Sequence, residues 1–407
     1  MLIISKNRGN RGDHEPEVND RQDNILPLPH MPQEMATENI NKSFLWLTIK
    51  NNVLGEIMTK KITLAQGAGG ELMDQLIKQN ILRFFKKQGT AEVPLTALDD
   101  AAVIDDIVFS TDSHTVQPLI FPGGDIGSLA VCGTINDVAV VGGAPLALSA
   151  GFIIEEGFSL DIFETIVKSM GRMANKANVP IVTGDTKVVE KGALQQFMIN
   201  TSGIGKRSPA LEKNIKEVKR HRKFSSRWLL DSNLTVGDTL ILSGNIGEHG
   251  IALLSFREGY GFETTIHSDI APLNGLMSAL LAEGGIASAK DPTRGGLANT
   301  VNEFSEKSHV GLLLYEDAIP IPKGVQSACD MLGIDPLEIG NEGKVVLGVV
   351  KEKADDVLAV LKKHPLGKHA AIIGEATDKV SSVVLQTAIG GKRILRKPLG
   401  DPVPRIC

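Results

Sequence analysis

From Ile62 onward the chain alternates short apolar runs with longer amphipathic segments, and this alternation limits its fold more than any other feature. The apolar run "PLALSAGFIIEEG" is typical of a strand, and it is followed by "SLDIFETIVKSMGRMANKANV". In that second segment Ile162, Ile166, Met170 and Met173 fall on one helical face. Hydrophobic residues make up 42% of the chain but aromatic residues only 4%. The pattern therefore predicts strands and helices around a mostly aliphatic core.

The length of 407 residues corresponds to about two domains. The basic segment "LEKNIKEVKRHRKFSSRW" interrupts the alternation and shows no wide apolar stripe, which favours a surface insertion or a linker. We therefore predict the following division: an extension at 1–57, a first domain at 58–207, a basic insertion and linker at 208–235, a second domain at 236–389, and a flexible tail at 390–407.

Residues 1–57 differ in character from the rest of the chain. The stretch "KNRGNRGDHEPEVNDRQDN" is charged, polar and aperiodic, which predicts disorder. Met58 begins the regular pattern, so we interpret it as the natural start and the preceding residues as an extension without a catalytic role. The alternative is an interaction arm.

Charge and cysteine content exclude several classes of protein. The net charge of −5 and the pI near 6.0 indicate neither a nucleic-acid partner nor an anionic membrane. No apolar run reaches spanning length, and the N-terminus lacks the apolar segment of a signal peptide. The three cysteines form no C-x-x-C pair, which argues against a zinc site or a disulfide framework. We expect a cytoplasmic protein with reduced thiols.

Glycine-rich loops indicate sites for an anionic ligand, although neither common nucleotide fingerprint is present. Gly67, Gly69 and Gly70 precede a helix, where backbone N–H groups bind anions, and the alternative is a flexible turn. In "DPTRGG", Arg294 carries a forked donor that suits phosphate.

Acidic residues stand at the ends of predicted strands and helices. Taken singly, such carboxylates are usually turn or cap residues, but several from different loops could converge on a metal–triphosphate. They are Asp99, Asp100, Asp112, Asp137, Asp185 and Asp291. Lys187 is either a phosphate contact or base, or a solvated lysine. Glu342 is either an acid–base group or a satisfied surface carboxylate. We interpret His114 and His249 as structural residues.

The last residue, Cys407, follows the proline-containing stretch "DPVPRI". Prolines keep such a stretch extended, and a thiolate is a strong nucleophile, so a mobile tail would let this thiol visit more than one site. The alternative is a terminal cysteine without a function. We do not expect a lipid anchor here, because Cys407 stands in no C-a-a-X frame.

Taken together, these stretches resemble the HypE family of hydrogenase maturation factors, which belongs to the PurM-like group typified by aminoimidazole ribonucleotide synthetase. The motifs that carry the resemblance extend from Met58 to Cys407. They include "LAQGAGGELM", "CGTINDVAV", "IVTGDTKVV", "LSGNIGEHG", "DPTRGG", "NEGKVVLGV" and the terminal "PRIC".

The resemblance implies an α+β fold with two PurM-like domains. In a homodimer, the N-terminal mixed sheet would form an intersubunit β-barrel, the C-terminal domain would be an α/β sandwich, and the tail would be mobile. It also implies ATP and Mg²⁺ as cofactors. The implied metal ligands are Asp100, Asp137 and Asp185. The implied nucleotide-binding residues are Gly67, Gly69, Gly70, Asp99, Asp112, Asn136, Thr186, Asp291 and Arg294.

The resemblance further implies that Cys407 receives a carbamoyl group from the carbamoyltransferase HypF. Phosphorylation of the amide oxygen by ATP and loss of phosphate would leave a thiocyanate, and its cyanide would pass to a HypC–HypD complex, toward the iron of [NiFe] hydrogenase. Lys187 and Glu342 match the assisting positions, and Glu342 is the better base because a lysine beside aspartates stays protonated. The alternatives are a selenophosphate synthetase, a thiamine-phosphate kinase, or an ATP-binding scaffold without catalysis.

Overall fold

The computed structural model describes residues 61–85, 89–257, 265–400, 402–403 and 406–407. The predicted extension at 1–57 and the proposed start at Met58 lie outside these described residues. The two sheets described next, with their helices, show the mixed α+β architecture that the resemblance implied, and the exact domain boundaries stay a prediction.

The first half of the described chain contains a five-stranded mixed sheet in the order β1-β2-β7-β5-β6. All neighbouring strands are antiparallel except β5 and β6, which are parallel. The strands are β1 Ala102–Ile104, β2 Ile107–His114, β5 Gly143–Glu155, β6 Ile181–Val189 and β7 Phe197–Arg207; a separate small hairpin pairs β3 Ile120–Phe121 with β4 Gly124–Asp125.

The β1–β2 hairpin turns at two aspartates. Asp105 and Asp106 have φ angles of 51° and 61°, the left-handed values that a tight two-residue hairpin requires at both central positions. Aspartate tolerates this conformation better than most residues do. The acidic pair in the sequence therefore marks the turn.

Two helices cover one face of this sheet: α2 Ile126–Val140 and α3 Leu160–Ala177. Gly203 and Gly205 on β7 lie under α2, where a Cβ would come within 2.8 Å of Thr134 Cγ2 and 2.5 Å of Val138 Cγ1. The two glycines thus let α2 pack closely on the sheet. The opposite face carries exposed apolar side chains, among them the neighbours Phe109 and Ile204.

The second half forms a seven-stranded sheet in the order β14-β13-β10-β12-β8-β11-β9. Alternate side chains of the strand Thr239–Leu242 enter different cores. Ile241 packs with the helices Asn274–Glu283 and Ala354–Lys363, whereas Leu240 and Leu242 pack with the helix Gly296–Ser308. Helices therefore cover both faces. The strands are β8 Thr239–Leu242, β9 Ile286–Lys290, β10 Gly311–Tyr315, β11 Val346–Val349, β12 Ala371–Thr377, β13 Val383–Gln386 and β14 Lys392–Ile394. The remaining helices are α1 Glu71–Leu76, α4 Pro209–His221, α5 Glu248–Phe256, α6 Asn274–Glu283, α7 Gly296–Ser308, α8 Lys323–Leu332 and α9 Ala354–Lys363.

Most of the basic segment after β7 forms the helix α4, whose narrow apolar stripe is buried although the sequence analysis favoured a surface insertion or a linker. Leu211, Ile215 and Val218 recur at helical spacing and are buried. Asn214 on the same face donates to the carbonyl of Ile286 at 2.7 Å and accepts from its N–H at 2.8 Å. A narrow apolar stripe is enough to bury this face of α4, because the backbone of Ile286 satisfies the hydrogen-bonding groups of Asn214.

The predicted tail also begins differently from the expectation. Lys392–Ile394 forms strand β14, paired antiparallel with β13, and Leu395 is buried behind it. The C-terminal segment that follows the last strand therefore starts after Leu395 rather than at residue 390. In the parts of the chain that the structure describes, no helix has both the length and the apolar composition needed to cross a membrane.

Candidate functional site

A cleft of ≈ 290 Å³ brings together residues from both halves of the described chain. Its polar lining combines the glycine loop before α1, the ends of β2 and β9, one face of α2, and the last residue. The lining includes Gly69, Gly70, Asp99, Asp100, Asp112, His114, Asp137, Lys290, Asp291, Arg294, Glu342 and Cys407.

Three carboxylates converge in this cleft. Asp100, Asp137 and Asp291 each place an oxygen atom within 4.8 Å of the others. Burial raises the pKa of Asp291 to about 6, and burial followed by the charge of Asp112 raises the pKa of Asp137 well above its usual value. Clustered buried carboxylates are stable as anions only beside positive charge. Their hard oxygen atoms suit Mg²⁺, so the donor set fits the implied metal.

Lys290 supplies part of that positive charge, and the sequence analysis missed it. Its Nζ lies 2.6 Å from Asp100, 3.2 Å from Asp231 and 3.2 Å from Glu303. Burial alone would lower the pKa of this ammonium group, but Asp100 and Asp231 outweigh burial and raise it. Lys290 therefore stays charged and anchors Asp100. A lysine at a strand end carries no local signal of this role.

Two further aspartates named from the sequence also line the cleft. Asp99 accepts a hydrogen bond from the Asp231 N–H at 3.0 Å, and burial with the charge of Asp231 raises the pKa of Asp99 to about 6. Asp112 accepts from the Thr134 hydroxyl at 3.3 Å. Five of the six predicted aspartates thus meet in one place.

The glycine loop contacts the chain's own tail. At Gly70, where φ is +80°, an added Cβ would lie 2.1 Å from the Pro398 carbonyl oxygen, and at Gly69 it would lie 2.7 Å from Arg294 Cβ. The Glu71 N–H donates to the same Pro398 oxygen at 3.0 Å. Gly67 lines a neighbouring hollow instead of the cleft. Gly69 and Gly70 therefore permit a close approach of Arg294 and of the tail, and the predicted contact of the glycine loop with a nucleotide stays a prediction.

Cys407 lies in the cleft with its thiol held by a cation. The Arg294 Nε–H donates to Cys407 Sγ at 3.1 Å, and the Thr115 N–H donates to the Cys407 carbonyl at 3.2 Å. Burial raises the pKa of the thiol to about 11, although Arg294 opposes the change. In this docked position the sulfur is therefore a protonated thiol at neutral pH and a poor nucleophile.

Glu342 is buried beside the thiol and the acidic cluster. Its backbone N–H donates to Asp269 at 3.0 Å, whereas its Oε1 has no hydrogen-bond partner among the described residues. Burial, followed by the charges of Asp291 and Asp269, raises its pKa well above the ordinary value for glutamate. A carboxyl group with an unused oxygen atom and a raised pKa, lining a cleft, is suited to moving protons.

Asn136 does not fit its predicted role in nucleotide binding. Its amide donates to the carbonyls of Ala271 and Glu342, both at 3.2 Å, and accepts from the Leu273 N–H at 2.8 Å. The side chain is buried and these bonds use both of its donors. The structure therefore makes Asn136 a residue that positions the backbone of Glu342.

A single chain does not bring Asp185, Thr186 and Lys187 to the cleft. All three lie on β6, which is an edge strand of the sheet as described and pairs there with β5, and their side chains are exposed. Asp185 and Thr186 line a separate hollow next to Phe152. Within one chain, Asp185 is therefore not a member of the carboxylate cluster, and Lys187 is not a base beside Cys407.

Two histidines that we interpreted as structural lie in or next to the cleft. His114 lines the cleft, and burial lowers its pKa to about 4, so it is neutral at physiological pH. His249 is fully buried and its Nε2 lies 2.8 Å from the carbonyl oxygen of Ile406. The flanking glycines in "GEHG" were the only sequence signal, and they did not indicate the partner.

Two family models match the chain. The AIR synthase related protein N-terminal domain matches residues 98–206, and the corresponding C-terminal domain matches residues 235–386. A putative hydrogenase expression/formation protein of Methanocaldococcus jannaschii is 49% identical over 353 residues, which are 85% of this chain and 100% of that protein. The carbamoyl dehydratase HypE of Escherichia coli is 42% identical over 350 residues, 85% of this chain and 99% of that protein.

Solved structures agree with these relatives. A HypE–HypF complex contains a chain that is 44% identical, with a TM-score of 0.71, covering 79% of this chain and 99% of that one. HypE in complex with ATP is 40% identical, with a TM-score of 0.67, covering 85% of this chain and 100% of that one. A thiamine monophosphate kinase complex is only 16% identical at a TM-score of 0.55, so it shares the fold alone.

Proposed function

Because this chain belongs to the HypE family of carbamoyl dehydratases, among the AIR synthase related proteins, we propose that it converts a carbamoyl group on Cys407 into a thiocyanate with the consumption of ATP. The observation that carries the proposal is the position of the Cys407 thiol, 3.1 Å from Arg294 and in one cleft with the carboxylate cluster and Glu342. The thiocyanate would supply the cyanide ligand for the iron of [NiFe] hydrogenase.

The reaction removes one oxygen atom and two protons from the S-carboxamide. The amide oxygen takes the terminal phosphoryl group of ATP while the nitrogen loses its first proton, which leaves an O-phosphorylated imidate on the sulfur. Phosphate then departs with that oxygen, the nitrogen loses its second proton, and a carbon–nitrogen triple bond remains. The products are the thiocyanate, ADP and phosphate.

Glu342 is the group in the described cleft best suited to accept those protons. Its free Oε1 gives it room for a new hydrogen bond, and its raised pKa makes it a stronger base than an ordinary glutamate. Asn136 and Asp269 fix its backbone, so the carboxyl group is held in place before the amide arrives. Arg294 holds the sulfur and orients the group attached to it.

Asp100, Asp137 and Asp291 would hold Mg²⁺ at the same end of the cleft. When bound, the ion would neutralise the triphosphate and favour phosphoryl transfer. Lys290 keeps Asp100 oriented for this purpose. The ATP complex of a solved HypE supports nucleotide binding by this fold.

The tail must leave the cleft before Cys407 can be loaded, that is, carbamoylated. With its pKa raised to about 11, the half-buried docked thiol is protonated, whereas attack on a carbamoyl donor needs an accessible thiolate. We therefore assign the docked position to dehydration and an undocked tail to loading. The solved HypE–HypF complex supports HypF as the loading partner, and a HypC–HypD complex is the proposed acceptor. The three unpaired cysteines fit a cytoplasmic location, where thiols stay reduced.

The direct test of the function follows the mass of the C-terminal peptide. The chain is first carbamoylated with HypF, then incubated with ATP and Mg²⁺. We expect the peptide containing Cys407 to lose the mass of one water, with one ADP formed per peptide. Withholding ATP or chelating Mg²⁺ should prevent the loss. ATP hydrolysis without a change in the peptide mass would identify a different enzyme. Nucleotide binding without hydrolysis and without a mass change would identify a scaffold.

We also propose the homodimer with an intersubunit barrel. The first sheet exposes an apolar face, including Ile107, Phe109 and Ile204, and its edge strand β6 exposes Val182 and Val188. An uncovered apolar sheet face of this kind favours association with another surface. Such a dimer gives Asp185 and Lys187 a role, because β6 would bring them to the cleft of the partner subunit.

Mixing two inactive variants tests this arrangement. Lys187→Ala chains and Cys407→Ser chains should each lack dehydration when alone. After dissociation and equal mixing, half of the dimers combine both variants and hold one intact cleft, so about a quarter of wild-type activity should return. The measurement is thiocyanate formed on the Lys187→Ala chain. Absence of recovery, with mixed dimers shown by mass spectrometry, would contradict a shared site.

A further inference from the structure

His249 is a buried residue that the reaction above does not use. It lies on α5, is fully buried, and has contacts at both ring nitrogens: Ile406 O at 2.8 Å from Nε2 and Ser268 Oγ at 2.7 Å from Nδ1. A carbonyl oxygen only accepts hydrogen bonds, so Nε2 carries the proton and Nδ1 accepts from the Ser268 hydroxyl. Burial lowers the pKa of the ring, which keeps it in this neutral form.

The same Nε2 lies close to a second buried acceptor. Glu342 Oε1 is 3.9 Å away, which is too long for a hydrogen bond, and it has no other partner among the described residues. The Nε2–H group of His249 thus lies near two acceptors and donates only to the carbonyl oxygen of Ile406. Leaving a buried polar group without a partner is costly, so a small shift that exchanged the acceptors would be favourable once Ile406 departs.

We propose that His249 is a positioning residue that donates to Ile406 while the tail is docked and to Glu342 after the tail has left. The Glu342 carboxyl group is then available to the substrate only when the sulfur is in the cleft. When the tail is undocked, His249 donates a hydrogen bond to Glu342. The Glu342 carboxyl group is then not free to accept a proton while the substrate amide is outside the cleft. This inference rests on the proposed function for the roles of Glu342 and Cys407.

Alkylation of Cys407 in the full-length chain, without ATP, measures tail docking and requires no catalysis. The docked thiol is half-buried and bound to Arg294, so it should react with iodoacetamide more slowly than an undocked thiol. His249→Leu removes the donor, and we expect Cys407 to react about 5- to 10-fold faster. His249→Gln keeps a donor and should stay near the wild-type rate. Cys132 and Cys329 are buried elsewhere and report on loss of the fold.

The exchange of acceptors is tested by a second substitution. Glu342→Leu removes the acceptor that the undocked state needs, so alkylation of Cys407 should become slower. In the His249→Leu background, Glu342→Leu should no longer slow alkylation of Cys407, because the histidine that donates to Glu342 is already absent. Equal effects of Glu342→Leu in both backgrounds would overturn the proposal, since a histidine that only holds the tail predicts no such coupling.

A milder variant covers the case in which His249→Leu unfolds the protein, which reaction of Cys132 and Cys329 would reveal. Ser268→Ala keeps the imidazole but removes the hydroxyl group that fixes its proton on Nε2. We expect Glu342→Leu to slow alkylation of Cys407 less in the Ser268→Ala background than in the wild type, and an equal effect in both backgrounds would overturn the proposal. Failure of the dehydration assay would leave these rates unaffected, so the two proposals fail separately.

Discussion

Replacement of Cys407 by serine is expected to reduce thiocyanate formation and hydrogenase activation to background. The hydroxyl group can still accept a hydrogen bond from Arg294, so the docked tail and the cleft should survive. A serine hydroxyl group without an adjacent base is a far weaker nucleophile than a thiolate, so the chain cannot be loaded. The measurements are the mass of the C-terminal peptide after incubation with HypF, carbamoyl phosphate and ATP, and hydrogenase activity in cells that carry the variant.

The matched control is Cys132→Ser, which changes a buried cysteine on α2 outside the cleft lining. It should be loaded and dehydrated normally if it folds. A kinase or a selenophosphate synthetase with this fold would not use the last residue as a carrier. ATP-dependent turnover of a separate substrate that persisted in Cys407→Ser would therefore contradict the proposed function and favour that class.

Glu342→Gln is expected to slow dehydration of the loaded chain by about 10²- to 10⁴-fold, the usual contribution of a positioned acid–base group. Glutamine is close in size and keeps the backbone bonds to Asp269 and Asn136, so nucleotide binding and tail docking should change little. The measurement is a single-turnover rate on carbamoylated protein. Glu338→Gln, which replaces a nearby carboxylate outside the cleft lining, is the control and should be almost as fast as wild type.

The pH profile separates a base from a residue that only shapes the cleft. Glu342 must be ionised to accept a proton, and its pKa is raised by burial and by Asp291 and Asp269. The wild-type rate should therefore rise with pH across a limb that lies above the ordinary glutamate range, and fall as pH drops through the raised pKa. The glutamine variant should lack this limb. If the dehydration rate of Glu342→Gln still rose with pH in the same range, another group would be the base.

Local patterns predicted the elements because their causes are local. The helical spacing of Ile162, Ile166 and Met170 acts within a few residues, so one sequence sufficed to predict that helix. The stripe of α4 was missed because only three apolar residues, Leu211 among them, stand among many charges. Pairing of β14 was missed because a strand of three residues has no pattern of its own and forms only beside β13.

The amino-acid sequence sufficed to predict most types of element and the family, and to propose Cys407 as the carrier residue, because these follow from local periodicity and from motifs spread along the chain. Only the tertiary structure decided which polar groups meet. It joined Asp100 to Lys290 across 190 positions, placed His249 on the carbonyl of Ile406, and left Lys187 on an exposed edge strand. Strand order and helix packing set such distances, and no short stretch of sequence encodes them.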